Sequence, residues 1–272
     1  MRIGAFQFDV RRGDVPGNLA EAERGLRAAR DGGLEFVSLP EMWPTSFVAA
    51  DVAGGDDERW LAESEEAVAR IRDLSAELEL VVCGSAFGSL ENGPPWANRL
   101  HVFDSGRDVF TYDKVHLFSP TAEHLSFAAG NEPPPTHEVR GLRLSALVCY
   151  DLRFGALLRT PFLQEAELLV VPAQWPDTRR EHWRALVCGR AAEHQAFVLG
   201  ANRTGKDLVG RRELELAFPG NSLVCGPGGE VLAEGAGAVG LVTADIDLEG
   251  LRALRRQVPV RRDERGDVYA RG

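Results

Sequence analysis

The sequence predicts a single α/β domain whose sheets mix parallel and antiparallel strands. Three observations carry this. Short apolar runs of strand length alternate with amphipathic stretches of helical period along the whole chain. Strand-like runs flanking turn residues, as around Ser105-Gly106, read as hairpins. No repeat, low-complexity block or linker divides residues 1–272, and one domain accommodates that length.

The elements follow in order. Ile3–Phe8 reads as a strand. Asn18 is expected to cap a helix with Leu19, Ala22, Leu26 and Ala29 at helical spacing, stopped by Gly32-Gly33. Phe36–Leu39 is a buried strand ending at Pro40-Glu41. A charged amphipathic helix runs over Asp57–Glu79, with Leu61, Val68, Ile71, Leu74 and Leu78 on one stripe. Leu80–Ser85, Leu100–Asp104 and Asp108–Tyr112 are strands. Phe118–Glu138, with Pro120 and Pro133-Pro134-Pro135, reads as a long loop, a feature that compact domains reserve for function or disorder.

Leu142–Cys149 is a strand, Gly155–Gln164 a helix, Leu168–Val171 a strand, Thr178–Gln195 a helix and Phe197–Ala201 a strand. Ser222–Cys225, Glu230–Ala233 and Leu241–Ile246 are further strands. Asp247 caps a last helix, Leu248–Arg256, and residues 258–272 read as a polar, basic arm or tail.

Composition narrows the function. Basic residues number 31 against 41 acidic ones, a net charge of −10. That disfavours nucleic acid, whose binding needs a basic patch, and offers nothing to an anionic membrane. No run approaches the ~20 apolar residues of a membrane span, and the opening apolar run is too short for a signal-peptide core. A cytoplasmic chain is expected. The four cysteines, Cys83, Cys149, Cys188 and Cys225, show no CxxC spacing and are expected to stay thiols in that compartment.

Several weak motifs carry little. Gly235–Gly240 fits GxGxxG but runs into a strand, whereas a dinucleotide fingerprint opens a helix, so it reads as a turn. His182 and His194 lie twelve apart (194 − 182) on one helix, which is not ligand spacing. No metal and no cofactor is expected. GxSxG, the serine-hydrolase elbow, is missing from the sequence.

Three segments place a reactive residue just after an apolar strand. Val37-Ser38-Leu39-Pro40-Glu41 delivers a carboxylate, Tyr112-Asp113-Lys114-Val115-His116 an amine, and Leu147-Val148-Cys149-Tyr150-Asp151 a thiol. Ligands in α/β sheets collect beyond the carboxyl ends of strands, so the three can meet at one edge. Taken singly, each has a bland alternative: a solvated turn, a snorkelling lysine, a core cysteine.

Together they resemble the carbon–nitrogen hydrolase (nitrilase) superfamily, whose members use a Glu, a Lys and a Cys in this chain order. The resemblance extends to Pro172-Ala-Gln-Trp-Pro176, His182-Trp183, Arg190-Ala-Ala-Glu193, Asn202-Arg-Thr-Gly205, Gly220-Asn-Ser222 and Pro227-Gly-Gly229. It implies an αββα sandwich: two mixed sheets face to face, flanked by helices. It also implies a homodimer or a higher homo-oligomer.

The resemblance assigns Cys149 as nucleophile, Glu41 as general base and acid, and Lys114 as oxyanion donor with the Tyr150 backbone N–H. The reaction implied is hydrolysis of a small amide, with ammonia released and a cysteine thioester as intermediate. Glu123, in Pro120-Thr-Ala-Glu123, resembles a second glutamate that orients the lysine; the alternative is a solvated loop carboxylate. Within the superfamily Cys149-Tyr-Asp-Leu-Arg153-Phe and Asp245-Ile-Asp247-Leu look like the omega-amidase branch, which deamidates 2-oxo-acid amides such as 2-oxoglutaramate. Other members act on aliphatic amides, N-carbamoyl amino acids or nitriles. Nitrilases typically place Trp-Glu after the cysteine, where this chain has Tyr150-Asp151. Arg153 is the candidate partner for a distant substrate carboxylate, with a structural ion pair as its alternative. Phe118 and Trp175 are candidate pocket walls, or else core.

Overall fold

A computed structural model describes residues 1–47, 57–90, 96–209 and 213–269. Strand β1 (Arg2–Gln7) is followed by α1 (Val15–Asp31). Asp14 is the helix cap: its carboxylate accepts from the Gly17 N–H at 3.1 Å, and a proline fills the first turn, where no amide proton is needed. Asn18, the expected cap, lies inside α1 instead. Its amide accepts from the Arg11 N–H and donates to the carbonyls of Arg11 and Pro44, tying two loops to the helix. The apolar stripe falls where its period puts it, with Ala22, Leu26 and Ala29 fully buried.

The first sheet continues with β2 (Phe36–Ser38), then α2 (Asp57–Glu77), β3 (Val81–Gly88), β4 (Ala97–Asp104) and β5 (Arg107–Asp113). Two short 3-10 turns, Ser119–Thr121 and Glu123–Leu125, interrupt the long loop, and its end forms β6 (Thr136–Val139). Then come β7 (Leu142–Ala146), α3 (Arg159–Leu163), β8 (Leu168–Ala173), α4 (Arg180–His194) and β9 (Phe197–Asn202). A hairpin of β10 (Thr204–Val209) and β11 (Leu214–Pro219) precedes β12 (Leu223–Cys225), β13 (Val231–Glu234) and β14 (Gly240–Asp245). Helices α5 (Leu248–Gln257), α6 (Val260–Asp263) and α7 (Gly266–Tyr269) follow. Asp247 caps α5, as expected, and the GxGxxG stretch does lead into β14.

Two six-stranded sheets result, in the orders β14-β1-β2-β3-β4-β5 and β13-β12-β9-β8-β7-β6. Each has a parallel centre, β1-β2-β3 in one and β7-β8-β9 in the other, with antiparallel flanks. Period-two alternation assigns the faces. Ile3, Ala5, Phe36, Val81 and Cys83 join Leu144, Ala146 and Val170 in one buried cluster between the sheets. Phe6, Phe8, Val37 and Val82 pack with Leu26 and Ala29 of α1 and Ile71 and Leu74 of α2. Trp183, Val187 and Ala191 of α4 pack on β9 and β12. The architecture is therefore an αββα sandwich in four layers.

Besides β6, α6 and α7, which form in stretches expected as loop and tail, three elements differ from expectation. The strand expected to reach Cys149 stops at Ala146. The helix expected over Gly155–Gln164 forms only from Arg159 to Leu163, because residues 155–158 make successive turns. The β10–β11 hairpin is additional; Gly205 and the charged Lys206-Asp207 mask its alternation. Past α5 the described chain lies back on the domain. The Gln195 amide donates to the Val258 carbonyl at 3.0 Å, and Arg159 pairs with Glu264.

Candidate active site

Glu41 sits in a turn that follows β2 and is bonded to β3. The Leu39 N–H donates to the Cys83 carbonyl, the Met42 N–H to the Ser85 hydroxyl, and the Trp43 N–H to the Ser85 carbonyl. Lys114 follows β5, its N–H donating to the Asn98 carbonyl at 3.0 Å. After β7 the chain leaves the sheet and enters a 3-10 turn, Cys149–Arg153, with Cys149 at φ 45°. A non-glycine residue there is strained, and buried Asp151 holds the turn. Asp151 accepts from the Tyr112 hydroxyl at 2.8 Å and from the His116 N–H at 2.8 Å.

These strand ends converge on a charged cluster. The Lys114 ammonium donates to Glu41 Oε1 at 2.8 Å and to both Glu123 oxygens at 3.0 and 2.9 Å. Lys114, Glu41 and Glu123 are each 1% exposed. Asn98 Nδ2 bridges the carboxylates, 2.9 Å from Glu41 Oε1 and 3.3 Å from Glu123 Oε1. The Gln174 N–H donates to Glu41 Oε2 at 2.9 Å, and its side chain donates to the Glu41 carbonyl at 2.9 Å. Glu123 Oε2 also accepts from the Phe118 N–H at 2.6 Å. Glu123 is thus a buried ion-pair partner and not a solvated loop carboxylate.

Burial opposes the charge on Lys114, but the carboxylates of Glu123 and Glu41 outweigh it and hold its pKa above the ordinary value. Burial raises the Glu123 carboxyl; Lys114 pulls against this and the Glu41 charge adds to it. Cys149 lies well above the ordinary thiol range. Burial and the Glu41 charge both raise it, and they outweigh Lys114 and the Gln174 N–H. The resting thiol is protonated, so it needs a base at the moment of attack.

The cluster lies at one cavity, about 500 Å³ including its mouth. Every residue singled out from the sequence lines it: Glu41, Lys114, Glu123, Cys149, Tyr150, Arg153, Phe118 and Trp175. Arg153 stacks with its guanidinium carbon 4.7 Å from the Trp175 ring centroid and 5.9 Å from that of Tyr150. Phe118 meets Tyr150 edge-on at 4.9 Å. Phe47, Val209, Leu216 and Phe218 complete an apolar wall, the last three from the hairpin. Sequence reasoning missed Asn98, a lone amide inside a strand, and the gripping role of Gln174, which works partly through a backbone N–H. Arg203 was missed too. Fully buried, it donates to Gln174 Oε1 at 3.1 Å and pairs with Asp207 at 3.0 Å and Asp9 at 2.9 Å.

Residues 2–256 match the carbon–nitrogen hydrolase family. The chain belongs to that family. This carbon–nitrogen hydrolase is 31% identical over 268 residues to the 2-oxoglutaramate amidase of Bacillus subtilis, covering 98% of each chain. It is 33% identical over 255 residues to the omega-amidase YafV of Escherichia coli K12, covering 92% of this chain and 91% of that one. Among solved structures it superposes on the NitN amidase of Nesterenkonia sp. AN1 with a TM-score of 0.85 at 26% identity, over 100% of this chain and 99% of that one. A mutant of that amidase shows covalent addition of the acetamide moiety of fluoroacetamide at its active-site cysteine. The protein is a hydrolase of amide C–N bonds with a Glu–Lys–Cys triad.

Proposed function

We propose that this hydrolase is an omega-amidase, releasing ammonia from the amide end of a 2-oxo-acid amide such as 2-oxoglutaramate. One observation carries the reading. The triad lies at an apolar-walled cavity that also presents the Arg153 guanidinium, and among the described residues no carboxylate lies within 4.0 Å of that guanidinium. The structural ion pair that was its alternative is therefore missing there. The named activities of the Bacillus and Escherichia relatives support the same substrate class.

The chemistry follows from the groups. With the amide carbon beside Cys149, Glu41 takes the thiol proton as sulfur attacks. Charge develops on the carbonyl oxygen. Lys114, whose proton on Glu41 is freed as Glu41 becomes protonated, and the Tyr150 N–H, an early donor of a 3-10 turn, stabilise it. Glu41 then protonates the departing nitrogen and ammonia leaves. Glu41 next deprotonates the water that attacks the thioester carbon, and returns that proton to the Cys149 sulfur as the C–S bond breaks and the carboxylic acid is released. Glu123 keeps Lys114 charged and aimed. Tyr150, Phe118 and Trp175 wall the acyl chain, and Arg153 takes its far carboxylate.

The test is ammonia release over five substrates: 2-oxoglutaramate, glutamine, a simple aliphatic amide, an N-carbamoyl amino acid and a nitrile. The highest kcat/KM is expected for 2-oxoglutaramate. Turnover of the nitrile alone overturns the reading. Preference for the aliphatic amide supports a second one, aliphatic amidase, which the apolar wall and the Nesterenkonia amidase favour.

The same reading takes the chain as one domain, with residues 258–272 as a C-terminal arm of a homodimer or larger homo-oligomer. Exposed Leu163, Val258 and Val260 support it, 43%, 52% and 39% accessible. It places the enzyme in the cytoplasm, which keeps its four free cysteines reduced. Light scattering on the eluting protein tests the assembly.

A further inference from the structure

Arg179 lines the same cavity as Arg153 and was not a candidate from the sequence. We propose that Arg153 and Arg179 form a two-guanidinium clamp selecting amides that carry a carboxylate remote from the scissile bond, which makes Arg179 a second specificity-determining residue. The inference rests on the omega-amidase reading.

Charge at the floor of the cavity orients the substrate. Two carboxylates, Glu41 and Glu123, face one ammonium, Lys114, and the Cys149 thiol is neutral. That leaves one excess negative charge, which repels a carboxylate from the floor and admits a neutral amide. The whole chain, at −10, gives an anion no help either. Positive potential has to come from cations lining the walls. Lys114 is already engaged by its two glutamates, so Arg153 and Arg179 remain.

Both are placed to supply it. Among the described residues neither has a carboxylate within 4.0 Å, although acidic groups stand close by: Asp177, three residues ahead of Arg180, pairs with Arg180 at 2.7 Å and not with Arg179. Each guanidinium lies over an aromatic wall, Arg153 over Trp175 at 4.7 Å and Arg179 over Phe118 at 5.8 Å. A ring attracts a guanidinium without using up its N–H donors, which are then free to meet a carboxylate. Arg153 spends one of those N–H groups on the His182 ring at 3.3 Å.

Both arginines touch Trp175, Arg179 through its backbone and Arg153 through its guanidinium. Trp175 Nε1 donates to the Arg179 carbonyl at 2.8 Å, while the Trp175 ring carries Arg153. The Arg179 N–H donates to the Pro176 carbonyl at 3.0 Å. Trp175 thus links the two arginines on one wall of the cavity.

The experiment compares kcat/KM for 2-oxoglutaramate with kcat/KM for pentanamide, a neutral amide of the same carbon count. It uses the intact enzyme and its Arg153→Gln, Arg179→Gln, Arg179→Lys and double Gln variants. The clamp predicts that Arg179→Gln lowers the ratio by about 10- to 100-fold, the range for losing one charge-assisted hydrogen bond. Most of that loss falls on KM for 2-oxoglutaramate. The double variant falls further, and Arg179→Lys keeps part of the preference. A wild-type ratio in Arg179→Gln and Arg179→Lys overturns the clamp while leaving the omega-amidase reading in place. A wild type with no preference for 2-oxoglutaramate over pentanamide overturns both. Should Arg179→Gln not fold, Arg179→Lys decides, because loss of the fork without loss of charge still lowers the ratio.

Discussion

Lys114 meets both carboxylate oxygens of Glu123, at 3.0 and 2.9 Å. The lysine has three protons to give, and Glu41 takes a third contact at 2.8 Å. Glu123 therefore sets the direction in which the ammonium points, though it need not touch the reacting atoms. Glu123→Gln keeps the shape and removes the charge. The expected result is a fall in kcat on the order of 10²-fold, the scale of a sub-ångström to 1 Å misplacement of a reacting group, with a smaller change in KM. Steady-state kinetics with a matched amide checks it; a wild-type kcat contradicts the positioning role.

Removing the lysine itself has two separable effects. Lys114→Ala takes away an oxyanion donor, which costs about 3–4 kcal/mol of transition-state stabilisation. It also strands two buried carboxylates that now share no cation. Breaking a buried ion pair from one side costs roughly 3–5 kcal/mol of folding stability. Kinetics and urea unfolding read the two effects independently. Near-native activity in a folded Lys114→Ala protein would remove the lysine from the mechanism.

The nucleophile's environment predicts its reactivity. Burial and the Glu41 charge hold the Cys149 thiol well above its ordinary pKa. Alkylation of the free enzyme by iodoacetamide, read at Cys149 by peptide mass, is expected to climb with pH throughout pH 6 to 9 with no plateau near neutrality. A neutral-pH plateau, the mark of a resting thiolate, contradicts the Glu41 general-base role. Cys149→Ala is expected to lose turnover and keep the fold, since the side chain removed is one sulfur atom in a turn already held by Asp151.

How much of this site was legible in the sequence depends on what each residue's position announces. Glu41, Lys114 and Cys149 each follow a strand with a readable apolar run, so their meeting at one edge follows from α/β topology. Glu123 was legible only through resemblance, because a carboxylate in a Pro-rich loop carries no burial signal of its own. Asn98 had none at all. It sits in β4 between Ala97 and Arg99, and its role comes from a pairing across space with residues 57 and 25 positions away. Gln174 acts partly through its backbone N–H, which no side-chain pattern reports. The cap at Asp14 was missed because Asn18 is also a good capping residue and sits nearer the first apolar position; the proline after Asp14 was the better signal. The hairpin was missed because Gly205 and the charged Lys206-Asp207 break the hydrophobic alternation of β10, and β11 fully buries only Phe218.

A histidine far from the chemistry sets part of the pH dependence of stability. His194, at the end of α4, is 7% exposed, with Nδ1 unpartnered and its ring edge-on to Phe162 at 5.6 Å. Burial lowers its pKa to about 4; Glu193 pulls the other way, and Arg190 and Arg255 add to the lowering. The unfolded chain binds that proton near 6.5, the folded chain only near 4. Above pH 6.5 the ring is neutral in both states and costs nothing. As pH falls from 6.5 to 4 the unfolded state takes up the proton first, so stability is lost across that window, by roughly 3 kcal/mol in total. Below pH 4 both states are charged and this loss stops growing. His194→Gln removes the titration and leaves His101, also lowered to about 4 by burial, in both proteins. Urea unfolding at pH 7.5 and pH 4.5 is therefore expected to show a drop that is smaller in the variant by about 2 kcal/mol. An equal drop in the two proteins would show that His194 is protonated in the folded state.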